Sequence, residues 1–432
     1  MDKHLPRLYK DYGSYSNYRN FPLDLDGLKP VERRVLLAAF KISKSKFVKS
    51  RRVDSHTTGH YHPHGECYGT IVQLVRQGFL DGQGNFGTNV GVEPVGAAAP
   101  RYTECKISEN TVDLAFKYVN FVPWGDTELE DKEPLFLPTR YPLCLMGNDY
   151  TQGIGFGYKT FIPCYKREDL YKRLLWLLGI RKRKPIIHPI TDCTIVSDQK
   201  VLDQLLTTGS AKIDVEGIIE EIPTKNKVVL KSWPPGKRFA SFLNKFATEL
   251  DSNMIGFTDL SVSETQIVFQ VLRERNRDKI YNEFVEKLKE VIKGTISFET
   301  TVVDIDHKVL VKPIDQMLLD TFKMFSEANE AMLKYEIAKF DEKINEYQIL
   351  EKIRQPISHC VSKSLDIKDT LKFVQDKTGI LQKEILELIN KYRISKMMSL
   401  NTDTTELKEK QKEFKNNLKN LNNFVLEQYN EF

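Results

Sequence analysis

Apolar positions recur along this chain in three rhythms, and each predicts a different kind of structure. Up to about residue 140 they form short helical stretches separated by glycine-rich turns. One helix is predicted to start at Pro30, whose fixed φ suits the first helical position, and to run through PVERRVLLAAF with Val31, Val35 and Ala38 on one face. A second is predicted through ECYGTIVQLVRQ, ending at Gly78. From about 141 to 310 the runs AKIDVEGIIEEI, KVVLKSW, TQIVFQVL and TISFETTVVDI alternate or are β-branched and predict strands, with amphipathic helices KREDLYKRLLWLL and DKIYNEFVEKLKEVI between them. This is the pattern of an α/β domain. After Pro313 the steps alternate between four and three: Leu333, Ile337, Phe340, Ile344 and Tyr347 mark one seam of a coiled coil, and Pro356 is expected to stop that helix. Near the C-terminus Leu407, Phe414, Leu418, Leu421 and Val425 keep the same register, with Gln411 as a polar interruption and Asp403 with Glu406 as a capping box. The two stretches are expected to pair antiparallel. Standing alone they would read as the core of a helical bundle.

Composition narrows this picture. A chain of 432 residues, 41% of them hydrophobic, is long enough for two or three cores. Its six cysteines, Cys67, Cys105, Cys144, Cys164, Cys193 and Cys360, form no CxxC pair and suit reduced thiols rather than disulfides. The N-terminal MDKHLPRLYKDYGSYSNYRNF has no apolar leader core, and no run is long enough to span a bilayer, so a soluble, unsecreted, cytoplasmic protein is expected. A net charge of +5 says little at this size. Its distribution says more: from Arg33 to Arg52 there are eight basic residues, Arg33, Arg34, Lys41, Lys44, Lys46, Lys49, Arg51 and Arg52, and no acidic one. Such a run neutralises phosphates and releases counterions, although a solvated basic face has the same look. Two short helices beside it fit a helix-turn-helix or winged-helix module.

Taken singly, the motifs of the first region are ambiguous. Gly82, Gly84 and Gly87 have GxGxxG spacing, but neither a convincing preceding strand nor a following helix supports a dinucleotide loop, which leaves a tight glycine turn. His56, His60, His62 and His64 invite a zinc reading, yet no second ligand group accompanies them and HPH is a cramped bite for one ion. Phosphate recognition or a structural role remains. The pairs Asp24/Asp26 and Asp304/Asp306 imitate an acidic DxD motif without the accompanying glutamate and read as loop carboxylates.

The order of the motifs is more informative than any one of them. GLKPVERRVLL from Gly27, KSRRVDSHTTGHYHPHGE from Lys49, LDGQGNFG from Leu80 and AAAPRYTE from Ala97 succeed one another in a chain that resembles the breakage-reunion component of the type IIA DNA topoisomerases, the gyrase A and topoisomerase IV A subunits most closely. QGIGFGYKTFIP from Gln152 is similar to the family's segment carrying a DNA-wedging isoleucine. The resemblance covers most of the chain, although residues 165–310 match only in pattern. It implies an α+β multidomain fold: a winged-helix (CAP-like) breakage-reunion domain at 1–140, an α/β tower domain at 141–310, and a long antiparallel coiled coil with a helical C-gate for dimerisation at 311–432.

The same resemblance implies roles. Tyr102 would form a transient phosphotyrosyl bond with the 5′ end of a cut strand. A free phenol, with a pKa of about 10, is ionised to about one part in a thousand at pH 7, a handicap of about 4 kcal/mol that a site must offset. Arg101 would hold a phosphate oxygen, and His64, the second histidine of HPHG, would accept a proton or donate a hydrogen bond. Arg33, Arg52 and His62 would stabilise charge on the pentacoordinate phosphorus. Ile154 would wedge between base steps, and Lys29, Arg34 and Lys49 would contact DNA. Without the motif context Tyr102 would be an ordinary tyrosine, Arg33 a helix-surface charge, His62 a loop-orienting residue and Ile154 a core strand residue.

Departures from the pattern matter too. ECYGTIV is shorter than the bacterial segment, so drug sensitivity does not carry over. Pro100 before Arg101 looks eukaryotic or viral, whereas DGQGNFG looks bacterial; a viral or phage origin would put the protein in a host cytoplasm. No ATP-binding segment, Toprim triad or gyrase-type DNA-wrapping domain is found. The expected enzyme is therefore a homodimer that joins a separate B subunit, which binds the ATP and Mg²⁺, in an A₂B₂ assembly, and that relaxes and decatenates rather than supercoils. Two rivals remain: a non-cleaving winged-helix, coiled-coil DNA-bridging protein, and a histidine-metal phosphodiester hydrolase.

Overall fold

The computed structural model describes residues 5–92 and 95–430. By its internal contacts the chain forms two compact units, 1–325 and 326–432.

The first unit opens with helices α1 (Leu5–Asn20), α2 (Pro30–Ile42), α3 (Ser50–His60) and α4 (Tyr68–Arg76). With them goes an antiparallel sheet of β1 (Val48–Lys49), β2 (Leu80–Gln83) and β3 (Glu104–Ile107), in the order β1-β3-β2. Pro30 starts α2 as expected, and the Lys29 backbone N–H donates to Glu32 at 2.9 Å. The single apolar face does not hold: every residue from Glu32 to Ala39 is buried. This helix is a central pillar, and its charged side chains must find partners inside the protein. The second predicted helix ends at Arg76, with Gln77 as its cap, before Gly78 turns the chain at φ 83°. Helix α1 was not foreseen.

The loop reading of one acidic pair gains a role. Asp24 and Asp26 lie in a turn, as expected, but Asp26 is fully buried and Asp24 nearly so; Asp24 pairs with Lys312 and Asp26 with Arg33, so both anchor that turn to the interior. Asp304 does sit in a loop turn, accepting from the backbone of Asp306 and Lys308.

Between residues 151 and 299 two antiparallel sheets follow. One orders Thr151–Ile154, Lys159–Ile162, Lys293–Glu299, Ser210–Glu216 and Thr194–Ile195; the other orders Ile219–Ile222, Lys227–Leu230, Ile267–Val271 and Ile255–Asp259. Two predicted strands are each broken in two. AKIDVEGIIEEI changes sheet at Gly217, and TISFETTVVDI breaks at Thr300, whose hydroxyl donates to the Gly209 carbonyl. The predicted helices are Arg167–Leu177 and Arg277–Val291.

The second unit is built on the part of the helix Ile314–Ser362 that follows residue 325. Pro356 lies inside it rather than ending it. A mid-helix proline costs about 3 kcal/mol. Ile353, Ile357 and Cys360 around it are fully buried against Leu371, Val374, Ile385, Leu388 and Met397, and each buried aliphatic side chain returns roughly 1.5–3 kcal/mol. Helices Thr405–Lys419 and Leu421–Asn430 run back along the long helix: Gln428 bonds Asn329 at 2.7 Å, Phe414 packs on Phe340 at 5.6 Å, Gln411 donates to Asp341, and Thr402 donates to Glu351. As one number rises the other falls, so the pairing is antiparallel. Gln411 is thus a buried, partnered polar position. The capping box is not made: Asp403 instead closes a turn onto the N–H and hydroxyl of Thr405.

Candidate active site

The candidate residues fall into three groups, each held by a different device. The first is the turn at 98–103 between β2 and β3. Helix α3 begins directly beneath it, and the orphan N–H groups of that helix end are satisfied by the turn: Ser50 donates to the Thr103 carbonyl at 3.0 Å and Arg51 to the Pro100 carbonyl at 3.3 Å. The Thr103 hydroxyl donates to Ser50 at 2.9 Å, and Tyr68 bonds both Thr103 and the Ala98 carbonyl. Gly84 adopts φ 106°, where a Cβ would lie 3.2 Å from the Tyr102 carbonyl. This welded turn presents Tyr102 to solvent, 64% exposed, with the Arg101 guanidinium 4.6 Å from the centre of its ring. Arg52 is exposed on the first turn of α3, and Lys49 pairs with Glu104 at 2.8 Å on the neighbouring strands. The glycines of the DGQGNFG run therefore serve a strand-to-loop turn; no helix follows them, as a dinucleotide loop would require.

The second group is a polar cavity of about 180 Å³ whose lining includes Tyr15, Arg19, Lys29, Arg34, His62, His64 and Glu128. Arg34 makes a double hydrogen bond to Glu133, 2.8 Å on each side, and donates to His62 Nδ1 at 3.1 Å. Burial, helped by the Arg34 charge, pushes the His62 imidazole down to about 4. At neutral pH it is uncharged, with its proton on Nε2. The His62 ring meets His64 edge to face at 5.1 Å. His64 Nε2 lies 2.6 Å from the Tyr15 hydroxyl and 3.3 Å from Glu128.

Other motif residues are arranged differently. Arg33 does not line this cavity: it is 5% exposed and binds Asp26 through both Nε (2.7 Å) and Nη2 (3.0 Å). Consecutive helical residues point about 100° apart, so α2 turns Arg34 toward the cavity and Arg33 into the core. Nor do the four histidines converge as a metal cluster would. His56 stacks on His60 at 4.3 Å, His60 bonds Asp131, and His62 and His64 face the cavity. Among the described residues no group of three or more His, Cys, Asp or Glu side chains is arranged to hold a metal ion. Tyr102 and Arg101 are not among the residues lining the cavity.

The third group is the hairpin of Thr151–Ile154 and Lys159–Ile162. Asn17 of α1 clamps its tip, accepting from the Phe156 N–H at 2.6 Å and donating to the Phe156 carbonyl at 3.3 Å. The glycines on either side of Ile154 permit this approach: a Cβ on Gly153 would lie 2.3 Å from the Asn20 carbonyl, and one on Gly155 would lie 2.2 Å from Asn17. Lys29 Nζ donates to the Gln152 carbonyl at 2.6 Å. Ile154 is left projecting, 82% exposed. It is not a core strand residue.

Sequence reasoning missed Tyr15, Asn17 and Arg19, all on α1, and Glu128 and Glu133 beyond β3. The signal for α1 is present in Tyr9, Tyr12, Tyr15 and Tyr18, spaced by three residues.

Comparison with known proteins bears on what these groups share. The sequence profile of the A subunits of DNA gyrase and topoisomerase IV matches residues 19–431. Similar chains include the DNA gyrase A subunit of Clostridium acetobutylicum, 25% identical over 89% of this chain and 48% of that protein. The DNA gyrase A subunit of Campylobacter fetus is 30% identical over 73% of this chain and 38% of its own length, and that of Neisseria gonorrhoeae 37% over 54% and 25%. The chain spans less than half the length of these relatives. Among the described residues no helix is long and apolar enough to cross a membrane.

Proposed function

The chain belongs to the family of DNA gyrase and topoisomerase IV A subunits, and from that premise we propose that it is the DNA cleavage and religation component of an ATP-dependent type IIA topoisomerase. The observation that carries this reading is Tyr102, a solvent-facing phenol on a turn welded to a helix start, with a permanent cation against its ring. Attack of its oxygen on a backbone phosphorus forms an O–P bond and releases the 3′ oxygen; the reverse attack reseals the strand. Arg101 and Arg52 supply fixed positive charge where the phosphorane becomes more negative. The cavity with Arg19, Lys29 and Arg34 is a second phosphate-binding surface, and the short helices and three-stranded sheet of this region support a winged-helix reading.

Residues here do not suit a divalent cation. The carboxylates in and beside the cavity are engaged, Glu32 by the Lys29 N–H, Glu133 by Arg34 and Glu128 at His64, and Arg19, Lys29 and Arg34 add positive charge that repels a cation. This supports a reading in which Mg²⁺, which would assist the leaving oxygen, and ATP are bound by a separate B subunit in an A₂B₂ enzyme. The direct test is incubation with plasmid, Mg²⁺ and a B subunit, followed by denaturation. Protein-linked DNA ends are expected; intact plasmid in every condition would remove cleavage from the model.

Two further expectations follow from the geometry. A homodimer would close through the helices between residues 355 and 400, which leave Val361, Leu365, Ile367, Leu381 and Leu386 exposed. Equilibrium sedimentation at micromolar concentration should show a dimer, and a strict monomer would rule the gate out. Ile154→Ala should leave stability and DNA affinity nearly unchanged, since the side chain is exposed and makes no phosphate contact, while DNA bending and cleavage both fall because the base-step wedge is gone. A fluorescence bending assay giving the parental angle would refute the wedge.

A further inference from the structure

His64 occupies an unusual position in the cavity. One of its nitrogens is taken by two groups from distant parts of the chain, Tyr15 of α1 and Glu128 of the 127–131 turn. The hydroxyl lies 2.6 Å from Nε2 and the carboxylate 3.3 Å from the same atom. A carboxylate can only accept hydrogen bonds, whereas an imidazole nitrogen either donates or accepts according to tautomer. Were Nε2 unprotonated, its lone pair would face a carboxylate oxygen, acceptor against acceptor. With the proton on Nε2 the cluster closes: Nε2–H donates toward the phenol and the carboxylate, and the phenol donates to Glu128. Burial, reinforced by the charge of Glu128, raises the Tyr15 phenol above its ordinary range, which keeps it a donor.

The other neighbours do not disturb this assignment. From α1 the Arg19 guanidinium sits 5.7 Å over the Tyr15 ring, from α2 Arg34 is taken by Glu133 and His62, and Lys29 lines the same cavity. His62, edge to face with His64, is uncharged.

We propose that Tyr15 and Glu128 are positioning residues that hold His64 as its Nε2–H tautomer, leaving Nδ1 as the acceptor for a proton leaving an attacking hydroxyl. The logic is that of a general base whose second nitrogen is fixed by a hydrogen-bonded third group. The inference rests on the cleavage reading above for what His64 does, but not for how it is oriented.

The test has two arms. In DNA-free protein labelled with ¹⁵N-histidine, with a His64→Gln control for assignment, two-bond ¹⁵N–¹H correlations should report the Nε2–H form for His64. Glu128→Gln, whose amide can donate to an unprotonated Nε2, should move it toward the Nδ1–H form. Tyr15→Phe should give a mixture. In the cleavage assay Glu128→Gln should lower the rate about 10-fold and Tyr15→Phe somewhat less, with duplex affinity within about twofold of the parent. An Nδ1–H form in the parental protein overturns the proposal, as do parental cleavage rates in both variants. The tautomer is read without DNA, so a parental protein that forms no covalent complex removes the cleavage reading alone and leaves the orientation to be judged by the first arm.

Discussion

Tyr102→Phe should fold, dimerise and bind DNA like the parent, and form no covalent complex at all. Phenylalanine keeps the ring against which Arg101 rests and removes the only oxygen of that side chain able to bond to phosphorus. Because the side chain is 64% exposed and no hydrogen bond among the described residues involves its hydroxyl, the substitution should change stability by no more than about 0.5 kcal/mol. Arg101→Ala and His64→Ala should behave differently. They leave the nucleophile in place and slow it, on the order of 10² to 10⁴-fold if His64 takes part in proton transfer. Detergent-trapped cleavage of end-labelled duplex separates the two classes. Label at the 3′ end of the cut strand should remain with the parental protein, whose tyrosine holds the 5′ phosphate, and label at the 5′ end should be released. Parental levels of covalent complex from Tyr102→Phe would eliminate this tyrosine as the nucleophile.

What was legible in the sequence follows from where apolar residues had to go. The helix ending before Gly78 and the returning C-terminal helices were readable because period and punctuation agreed with burial, and the helix starting at Pro30 was readable from its punctuation. Helix α1 was not, because Leu8, Tyr9 and Tyr12 are mostly exposed and the contact that matters most is polar, Asn17 on the backbone at Phe156. Pro356 misled for the opposite reason: a local rule against proline in a helix was outweighed by burial on all sides, which only the tertiary packing reveals. Tyr102, Arg101, Arg52 and Ile154 were named from motifs, and the structure exposes each of them. The two adjacent arginines of α2 were beyond sequence reasoning. A helix buried on every face has no exposed side against which a charged pair can be sorted, so nothing in ERRVLL says which guanidinium faces the cavity.

Asp26→Ala should therefore destabilise the protein severely. Asp26 is fully buried and accepts four hydrogen bonds: from the Leu28 N–H at 3.0 Å, the Leu137 N–H at 2.9 Å, and Arg33 at 2.7 and 3.0 Å. Removing the carboxylate leaves a guanidinium charge and two backbone N–H groups without acceptors in the interior, a change that costs about 3–5 kcal/mol. In a unit of this size the melting temperature should fall by roughly 10 °C. Arg33→Met is the more discriminating variant. It leaves Asp26 with its two backbone donors but no counter-charge, so it too should melt early. Its cleavage rate, normalised to folded protein at low temperature, should stay within a few-fold of the parent, since this guanidinium is spent on Asp26 rather than on phosphate. Arg34→Met should show the reverse pattern: a smaller loss of stability, because Glu133 is less deeply buried, and a weakening of DNA binding that grows less evident as salt rises. A drop of 10²-fold or more in the normalised rate of Arg33→Met would return Arg33 to the chemistry and require α2 to rotate when DNA binds.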